Sequence, residues 1–295
     1  MACAHPASEP SSPSVVQHEA TFQNGFLHVA VSIPQSSRAR KPVVIGALED
    51  RERLLALGIA VAHYENDWDA LERADREVRD PPEPNQVGAW MLAAPRPGIV
   101  GRSYLGLVSA SARLSVPTLV DWLSSLPGID PTRIAIAGSS THGFIALEAM
   151  MIEPRLAAGV VRAACGDYHT FLRSSSLALH DDARWLPDGA LVLDADYEAE
   201  LRDREPIRFA ERFPPRPLLL LGGGEDEAIP VACVETTAIV LHAAYARVDL
   251  PERFRLVIYG SLGHDLQDAA ADEVLAWWQR WLLAPDPPAS APPRP

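Results

Sequence analysis

A serine in a glycine-rich turn is the residue of this chain best suited to nucleophilic chemistry. The segment 133–151 reads RIAIAGSSTHGFIALEAMM, in which a β-branched run is followed by the turn GSSTHG and then by an apolar helical stretch. A sharp turn between a buried strand and a helix lifts a serine hydroxyl out of the backbone and into a pocket. Ser140 is therefore the candidate nucleophile, and a phosphate-binding loop or a plain turn are the alternatives for such a segment.

Two later strands end in residues that could complete this chemistry. The segment 217–230, PLLLLGGGEDEAIP, is an apolar strand that ends in a glycine turn with Asp226 beyond it, and the segment 254–265, FRLVIYGSLGHD, is a strand followed by His264. The order Ser, Asp, His, each after a strand, is that of the α/β-hydrolase triad. His264 would take the serine proton, and Asp226 would fix the tautomer of the imidazole.

With these motifs the chain resembles the α/β-hydrolase superfamily, and in particular its dienelactone-hydrolase-like and prolyl-oligopeptidase-like esterases. The resemblance covers roughly residues 40 to 283. The segments that carry it are VDWLSSLPGIDPTRIAIAGSSTHGFIAL (120–147), PLLLLGGGEDEAIP (217–230), and Gly263-His264 with the helix 273–283 after it.

The fold class expected from the sequence is α/β. Apolar strands that alternate with helices predict a mostly parallel central sheet with helices on both faces. The resemblance further implies that residues 166–205 form a short lid excursion over the active site, with an ordinary long loop as the alternative. Within that segment Tyr168, Phe171 and Trp185 could line an apolar acyl site.

The register of the turn leaves two candidate nucleophiles, Ser139 and Ser140. The positions two before and two after the nucleophile must be small, and neither register satisfies this fully. Ser140 is favoured because Gly138 supplies the tight turn. His142 then stands where relatives usually have glycine, and it is either packed on the first turn of the helix or placed at the pocket wall as a substrate-binding residue.

Two backbone N–H groups are expected to stabilise the oxyanion of the tetrahedral intermediate. The first is the N–H of Thr141, at the positive end of the helix that begins there. The second should come from the turn after the third strand. This turn reads Gly46-Ala47-Leu48 where relatives usually have His-Gly, and its donor is Ala47 or Leu48.

Domain boundaries are marked by composition. A single α/β-hydrolase domain is expected at residues 15–283, preceded by a disordered tail at 1–14 and followed by a proline-rich tail at 284–295. A helix within 105–126 is expected to be kinked or broken at Pro117, since proline removes a backbone donor.

Charge and cysteine content limit the partners, cofactors and location. A formal net charge of −13 argues against nucleic acid and anionic membrane as partners, and the chain has neither an apolar run of about 18 residues nor the features of a secretory signal. The three cysteines have no metal or disulfide spacing, which predicts a reduced, cytoplasmic protein. The histidines lack ligand spacing such as H-E-x-x-H, so no metal and no cofactor is expected.

The leading functional interpretation is a serine hydrolase that cleaves a small carboxylic ester through an acyl-enzyme. An amide, thioester or lactone is the alternative substrate, because the same triad attacks each of these bonds. A non-catalytic binding protein on the hydrolase fold is a further alternative, motivated by His142 and by the missing His-Gly. Dienelactone hydrolases use cysteine where this chain has Ser140, which disfavours that substrate. The oligomeric state is left open.

Overall fold

The part of the chain that the structure describes forms one mixed sheet covered by helices. The structure is a computed structural model, and it describes residues 14–22, 27–35, 39–46, 48–67, 99–177 and 195–283. The strands are β1 (Val15–Phe22), β2 (Leu27–Pro34), β3 (Lys41–Ile45), β4 (Ala60–Asn66), β5 (Ile129–Ser139), β6 (Leu156–Arg162), β7 (Leu218–Gly223) and β8 (Phe254–Tyr259).

The helices alternate with the parallel strands, as the sequence predicts. They are α1 (Arg51–Ala56), α2 (Ile99–Ala110), α3 (Val116–Ser125), α4 (Thr141–Ile152), α5 (Tyr168–Ser174), α6 (Ala195–Arg204), α7 (Val231–Ala246) and α8 (Gln267–Trp278). Short 3-10 turns occupy Leu48–Asp50, Pro206–Arg212 and Pro251–Arg253, and π-helical turns occupy Ser111–Ser115 and Gln279–Leu283.

The strand order is β1-β2-β4-β3-β5-β6-β7-β8. The pairs β1/β2 and β2/β4 are antiparallel, and all the others are parallel. Strands such as β3 and β7 are buried along their whole length, because helices cover a parallel sheet and leave no polar face. The predicted α/β fold with a mostly parallel sheet is confirmed.

Three features differ from the sequence expectations. The strand β1 was not predicted. It is an antiparallel edge strand in which half-buried and exposed residues mostly alternate, so its sequence lacks the apolar run that marks a buried strand. The interruption of the helix within 105–126 is the π-helical turn Ser111–Ser115, which lies just before Pro117 and not at it, and Pro117 falls in the first turn of α3. Residues 166–205 contain the helices α5 and α6.

The cysteine prediction was wrong. Cys165, beyond the end of β6, is bonded to Cys233 in the first turn of α7, across 68 residues of sequence. Both side chains are fully buried. Close spacing is what reveals a disulfide or metal framework in a sequence, and these two cysteines approach each other only through the fold. The expected reduced state is therefore wrong for these two cysteines.

Several sequence predictions fall outside the described residues. These are the tail 1–14 except for Ser14, the tail 284–295, the middle of the expected lid at 178–194 with Trp185, and Ala47. Within the described residues, no helix has both the length and the apolarity needed to cross a membrane.

Candidate active site

Ser140 occupies a strained turn between β5 and α4. Its backbone has φ 54° and ψ −123°, a conformation that a residue with a side chain rarely adopts. Ser139 is the last residue of β5 and pairs with Arg162 of β6, so it remains within the ladder. The strain therefore falls on Ser140, the residue between strand and helix.

The turn is possible only because Gly138 has no side chain. A Cβ atom on Gly138 would lie 2.1 Å from the carbonyl oxygen of His142, far inside van der Waals contact. This close approach of β5 to the first turn of α4 is what a sharp nucleophile turn requires. His142 is tolerated at the other crowded position because its backbone, and not its side chain, makes the contact.

His264 and Asp226 form the second half of the site. Nδ1 of His264 lies 2.9 Å from Oδ2 of Asp226. The Asp226 side chain is 1% exposed and that of His264 is 41% exposed. An ionised carboxylate only accepts hydrogen bonds, so Nδ1–H donates to it and Nε2 is left as the basic atom.

The backbone fixes the orientation of Asp226. Its Oδ1 accepts hydrogen bonds from the N–H groups of Ala228 and Ile229, each at 2.9 Å. The carboxylate therefore cannot rotate away from His264 without losing both hydrogen bonds, of which the buried one, from Ile229, costs about 1–3 kcal/mol when left unmade.

The three candidate catalytic residues follow the carboxyl ends of β5, β7 and β8, which is where ligands bind in open parallel sheets. Asp226 and His264 are in direct contact. Within the described residues Ser140 reaches the same edge of the sheet without a hydrogen bond between its hydroxyl and His264. Catalytic hydrogen bonds are often long in the absence of substrate.

The candidate oxyanion donor Thr141 begins helix α4. The first N–H groups of a helix have no intrahelical acceptor, so its N–H is available to an anion. The Thr141 hydroxyl accepts a hydrogen bond of 3.1 Å from the hydroxyl of Tyr104 in α2. Burial raises the pKa of Tyr104 to about 12, so this hydroxyl stays protonated and donating at neutral pH.

His142 is exposed next to the turn, and its ring packs edge-on against Tyr64 with the centroids 5.7 Å apart. Partial desolvation of the ring and the nearby His63 lower the pKa of His142. The imidazole is therefore neutral at pH 7 and offers one donor and one acceptor. Its predicted contact with substrate stays a prediction.

Two residues predicted to line the acyl site belong to a buried aromatic cluster. Tyr168 is fully buried and Phe171 is 3% exposed, and both pack on Phe144 of α4, with ring centroids 5.9 and 4.9 Å away. They support the helix that carries the nucleophile turn. Whether they also contact an acyl group stays a prediction.

A buried carboxylate in this cluster was not singled out by the sequence. Glu148 of α4 accepts hydrogen bonds from Ser109 at 2.9 Å and from the Tyr168 hydroxyl at 2.6 Å. Burial raises the pKa of Glu148 from 4.5 to about 7, against the opposing effect of these two donors. A lone acidic residue within an apolar helix is the signal that could have indicated it.

One group of side chains has the composition of a metal site. Ligand atoms of Asp167, His169 and Glu205 lie within 4.8 Å of one another. The two carboxylates already accept hydrogen bonds. Asp167 accepts them from Thr170, and Glu205 accepts them from the His169 N–H at 3.2 Å and from Arg208 at 2.8 Å. These carboxylates act as caps of α5.

Comparison with known proteins places this geometry in context. The model of the prolyl oligopeptidase family matches residues 116–284. YtaP of Bacillus subtilis, a protein named as a hydrolase, is 25% identical over 163 residues, which are 55% of this chain and 50% of YtaP. The chain thus spans about half the length of this relative.

Solved structures share the fold. The acylaminoacyl peptidase of Pyrococcus horikoshii superimposes with a TM-score of 0.62 at 15% identity, covering 95% of this chain and 43% of the peptidase. A puromycin-hydrolyzing peptidase of Mycobacterium tuberculosis superimposes with a TM-score of 0.61 at 19% sequence identity, and the match covers 94% of this chain and 41% of that peptidase. TT1662 of Thermus thermophilus superimposes with a TM-score of 0.56 at 21% sequence identity, and the match covers 92% of this chain and all of TT1662.

Proposed function

The chain belongs to the prolyl oligopeptidase family, and from that premise we propose that it hydrolyses a carboxylic acyl bond with Ser140 as nucleophile, His264 as base and Asp226 as the orienting acid. The observation that carries the proposal is the strained backbone of Ser140 at the edge of the sheet where the hydrogen-bonded pair His264 and Asp226 also lies. Strain of this kind persists where the surrounding structure enforces it, and it clusters at functional sites.

The first half-reaction forms an acyl-enzyme. Oγ of Ser140 attacks the carbonyl carbon while Nε2 of His264 takes the hydroxyl proton, and the carbonyl oxygen becomes an oxyanion that accepts a hydrogen bond from the Thr141 N–H. The imidazolium then gives its proton to the leaving group as the bond to the carbonyl carbon breaks. Asp226 stays ionised and stabilises the imidazolium through the 2.9 Å contact.

The second half-reaction restores the serine. Water attacks the acyl carbon, His264 accepts one of its protons, and the carboxylic acid departs as His264 returns that proton to Oγ of Ser140. Because the His264 side chain is 41% exposed, water and the leaving group have access to the imidazole.

A small carboxylic ester is the leading substrate class. An alkoxide or phenoxide is a better leaving group than an amide anion, so an ester requires less of His264 in the bond-breaking step. Amide hydrolysis is the second candidate. It is supported by the family match and by structural neighbours named as peptidases. It demands that His264 protonate an amine before the bond to carbon breaks.

A pair of substrates with the same acyl group tests both candidates. A p-nitrophenyl ester and the matching p-nitroanilide are incubated with the parent and with Ser140→Ala. We expect the parent to cleave the ester and the variant to leave it intact, while the rate ratio of ester to anilide decides between esterase and amidase. A parent that cleaves neither, and that resists fluorophosphonate, would favour a non-catalytic binding protein on this fold.

A further inference from the structure

Arg162 ends β6 directly beside the nucleophile turn. Its backbone carbonyl accepts the Ser140 N–H at 3.0 Å, and the residue pairs with Ser139 in the ladder. The side chain is nearly inaccessible to solvent, with 5% of it exposed. The backbone of Arg162 thus holds the turn, and its guanidinium group is buried at the same edge of the sheet.

The guanidinium group binds two carboxylates of a different turn. Nη1 donates to Oε2 of Glu49 at 2.6 Å, and Nη2 donates to Oδ2 of Asp50. Both carboxylates belong to the 3-10 turn Leu48–Asp50, which follows β3. Arg162 therefore joins the segment after β3 to the end of β6.

These two segments are not neighbours in the sheet. β5 lies between β3 and β6, and neighbouring strands are about 4.8 Å apart, so the arginine side chain must cross the carboxyl end of β5 to reach its partners. Ser140 stands at that end. The turn after β3 is also close to β5, since a Cβ on Gly46 would lie 2.4 Å from the carbonyl oxygen of Ala137.

Stability alone is a poor reason for this arrangement. Desolvation of a buried ion pair often offsets its attraction, and an apolar replacement of similar volume can be as stable. Nε of Arg162 is buried and has no hydrogen-bond partner among the described residues, which is a further cost. What a guanidinium group does supply is two donors at a fixed angle in one plane, which locks both carboxylates in place.

We propose that Arg162 is a positioning residue of the hydrolytic site: it holds the turn Leu48–Asp50 against the turn of Ser140, so that backbone donors from the two turns keep the separation that an oxyanion needs. The proposal rests on the proposed function. Oxyanion donors must lie 2.7–3.1 Å from the developing charge. One is expected from Thr141 and the other from the segment after β3, where the His-Gly of relatives is missing.

Steady-state kinetics of Arg162→Lys and Glu49→Gln on a p-nitrophenyl ester test the proposal. Lysine keeps the charge but cannot bind two carboxylates in one plane, so we expect kcat to fall about 10- to 100-fold with KM within about twofold, somewhat less than the loss of a whole donor. Glu49 is 38% exposed, so its substitution tests the same contact with little effect on folding. Here we expect a smaller fall in kcat, about threefold to tenfold.

Arg216→Lys is the matched control. Arg216 donates to the carbonyl oxygen of Glu153 at 2.9 Å and to that of Met150, at the amino end of the parallel strands. Its replacement should lower Tm and leave kcat unchanged. The double variant of Arg162 and Glu49 should lose less than the product of the two single losses, because both changes break one contact.

Two outcomes would overturn the proposal. The first is a kcat within twofold of the parent in both Arg162→Lys and Glu49→Gln, with only Tm lowered as in Arg216→Lys. The second is a fall in kcat that is equally large in the control. A parent that neither cleaves esters nor reacts with fluorophosphonate would overturn the proposed function as well. If Arg162→Lys does not fold, Glu49→Gln alone decides, since an unchanged kcat there contradicts the proposal.

Discussion

The two ends of the parallel strands differ in side-chain hydrogen bonding and in backbone strain. At the amino ends, Arg216 closes the last turn of α4 through the carbonyls of Met150 and Glu153. At the carboxyl ends, Ser140 and Ala163 have positive φ angles of 54° and 44°. Under the proposed function, the amino ends contribute to folding, while the carboxyl ends retain backbone strain at the catalytic turn.

The contrast has one exception. Asp249, which follows α7 at the amino ends, also has a positive φ of 56°. Aspartate tolerates this region better than most residues, because its short side chain bonds locally. The strain at Ser140 has no such local explanation. Substitutions at the two ends should therefore differ in what they change, and the following predictions are ordered by the size of that change.

The largest effects are expected at His264 and Asp226. His264→Ala removes the base and should lower kcat on a p-nitrophenyl ester by about 10⁶-fold, and Asp226→Asn should lower it by about 10⁴-fold, because the aspartate orients without attacking. Both variants should fold. Asp265→Asn, at an exposed neighbour, is the control and should keep kcat within twofold. Full turnover by Asp226→Asn would mean that another acid orients His264.

The disulfide should contribute the next largest effect, on stability. It joins the segment after β6 to α7 and closes a loop with a sequence separation of 68, for which chain entropy predicts about 4 kcal/mol. The double variant Cys165→Ala/Cys233→Ala should lose about this much in urea unfolding. Dithiothreitol should destabilise the parent to the same extent and leave the variant unchanged. A parent insensitive to the reductant at equilibrium would show that the two thiols are not bonded.

Glu148 should make stability depend on pH. Burial raises its pKa in the folded state from 4.5 to about 7, so folding favours the protonated form. Its contribution is complete below pH 4.5 and is lost as the pH rises through 7, by about 3 kcal/mol in total. Urea unfolding from pH 4.5 to 8 should show this slope in the parent and not in Glu148→Gln. Equal slopes would mean that the pKa of Glu148 does not differ between the folded and the unfolded state.

Two glycines test the crowding at the nucleophile turn. A Cβ on Gly138 would meet a carbonyl oxygen at 2.1 Å, whereas a Cβ on Gly106 in α2 would meet nothing within 4 Å. Gly138→Ala should destabilise the fold by about 1–3 kcal/mol and also lower kcat. Gly106→Ala should be neutral, or stabilising by up to about 1 kcal/mol. Similar losses in both variants would show that the turn is no more crowded than a helix surface.

The sequence predicted what depends on local pattern. The strand, turn and helix around Ser140 and the placement of Asp226 and His264 after strands follow from apolar runs and glycines, and the structure has each of them. The pairing of Cys165 with Cys233 could not be predicted, since its ends meet only after the sheet forms. The contact of Arg162 with Glu49 could not be predicted for the same reason. It reaches across β5, and the sequence alone does not give the order of the strands in the sheet.

Mapping a fluorophosphonate adduct by mass spectrometry identifies the nucleophile of this chain. The adduct forms on the serine that a neighbouring base activates, whatever the natural substrate is. We expect one adduct, on Ser140, that is absent from Ser140→Ala and His264→Ala and retained in Ser139→Ala. An adduct on Ser139, or labelling that persists in Ser140→Ala, would contradict it.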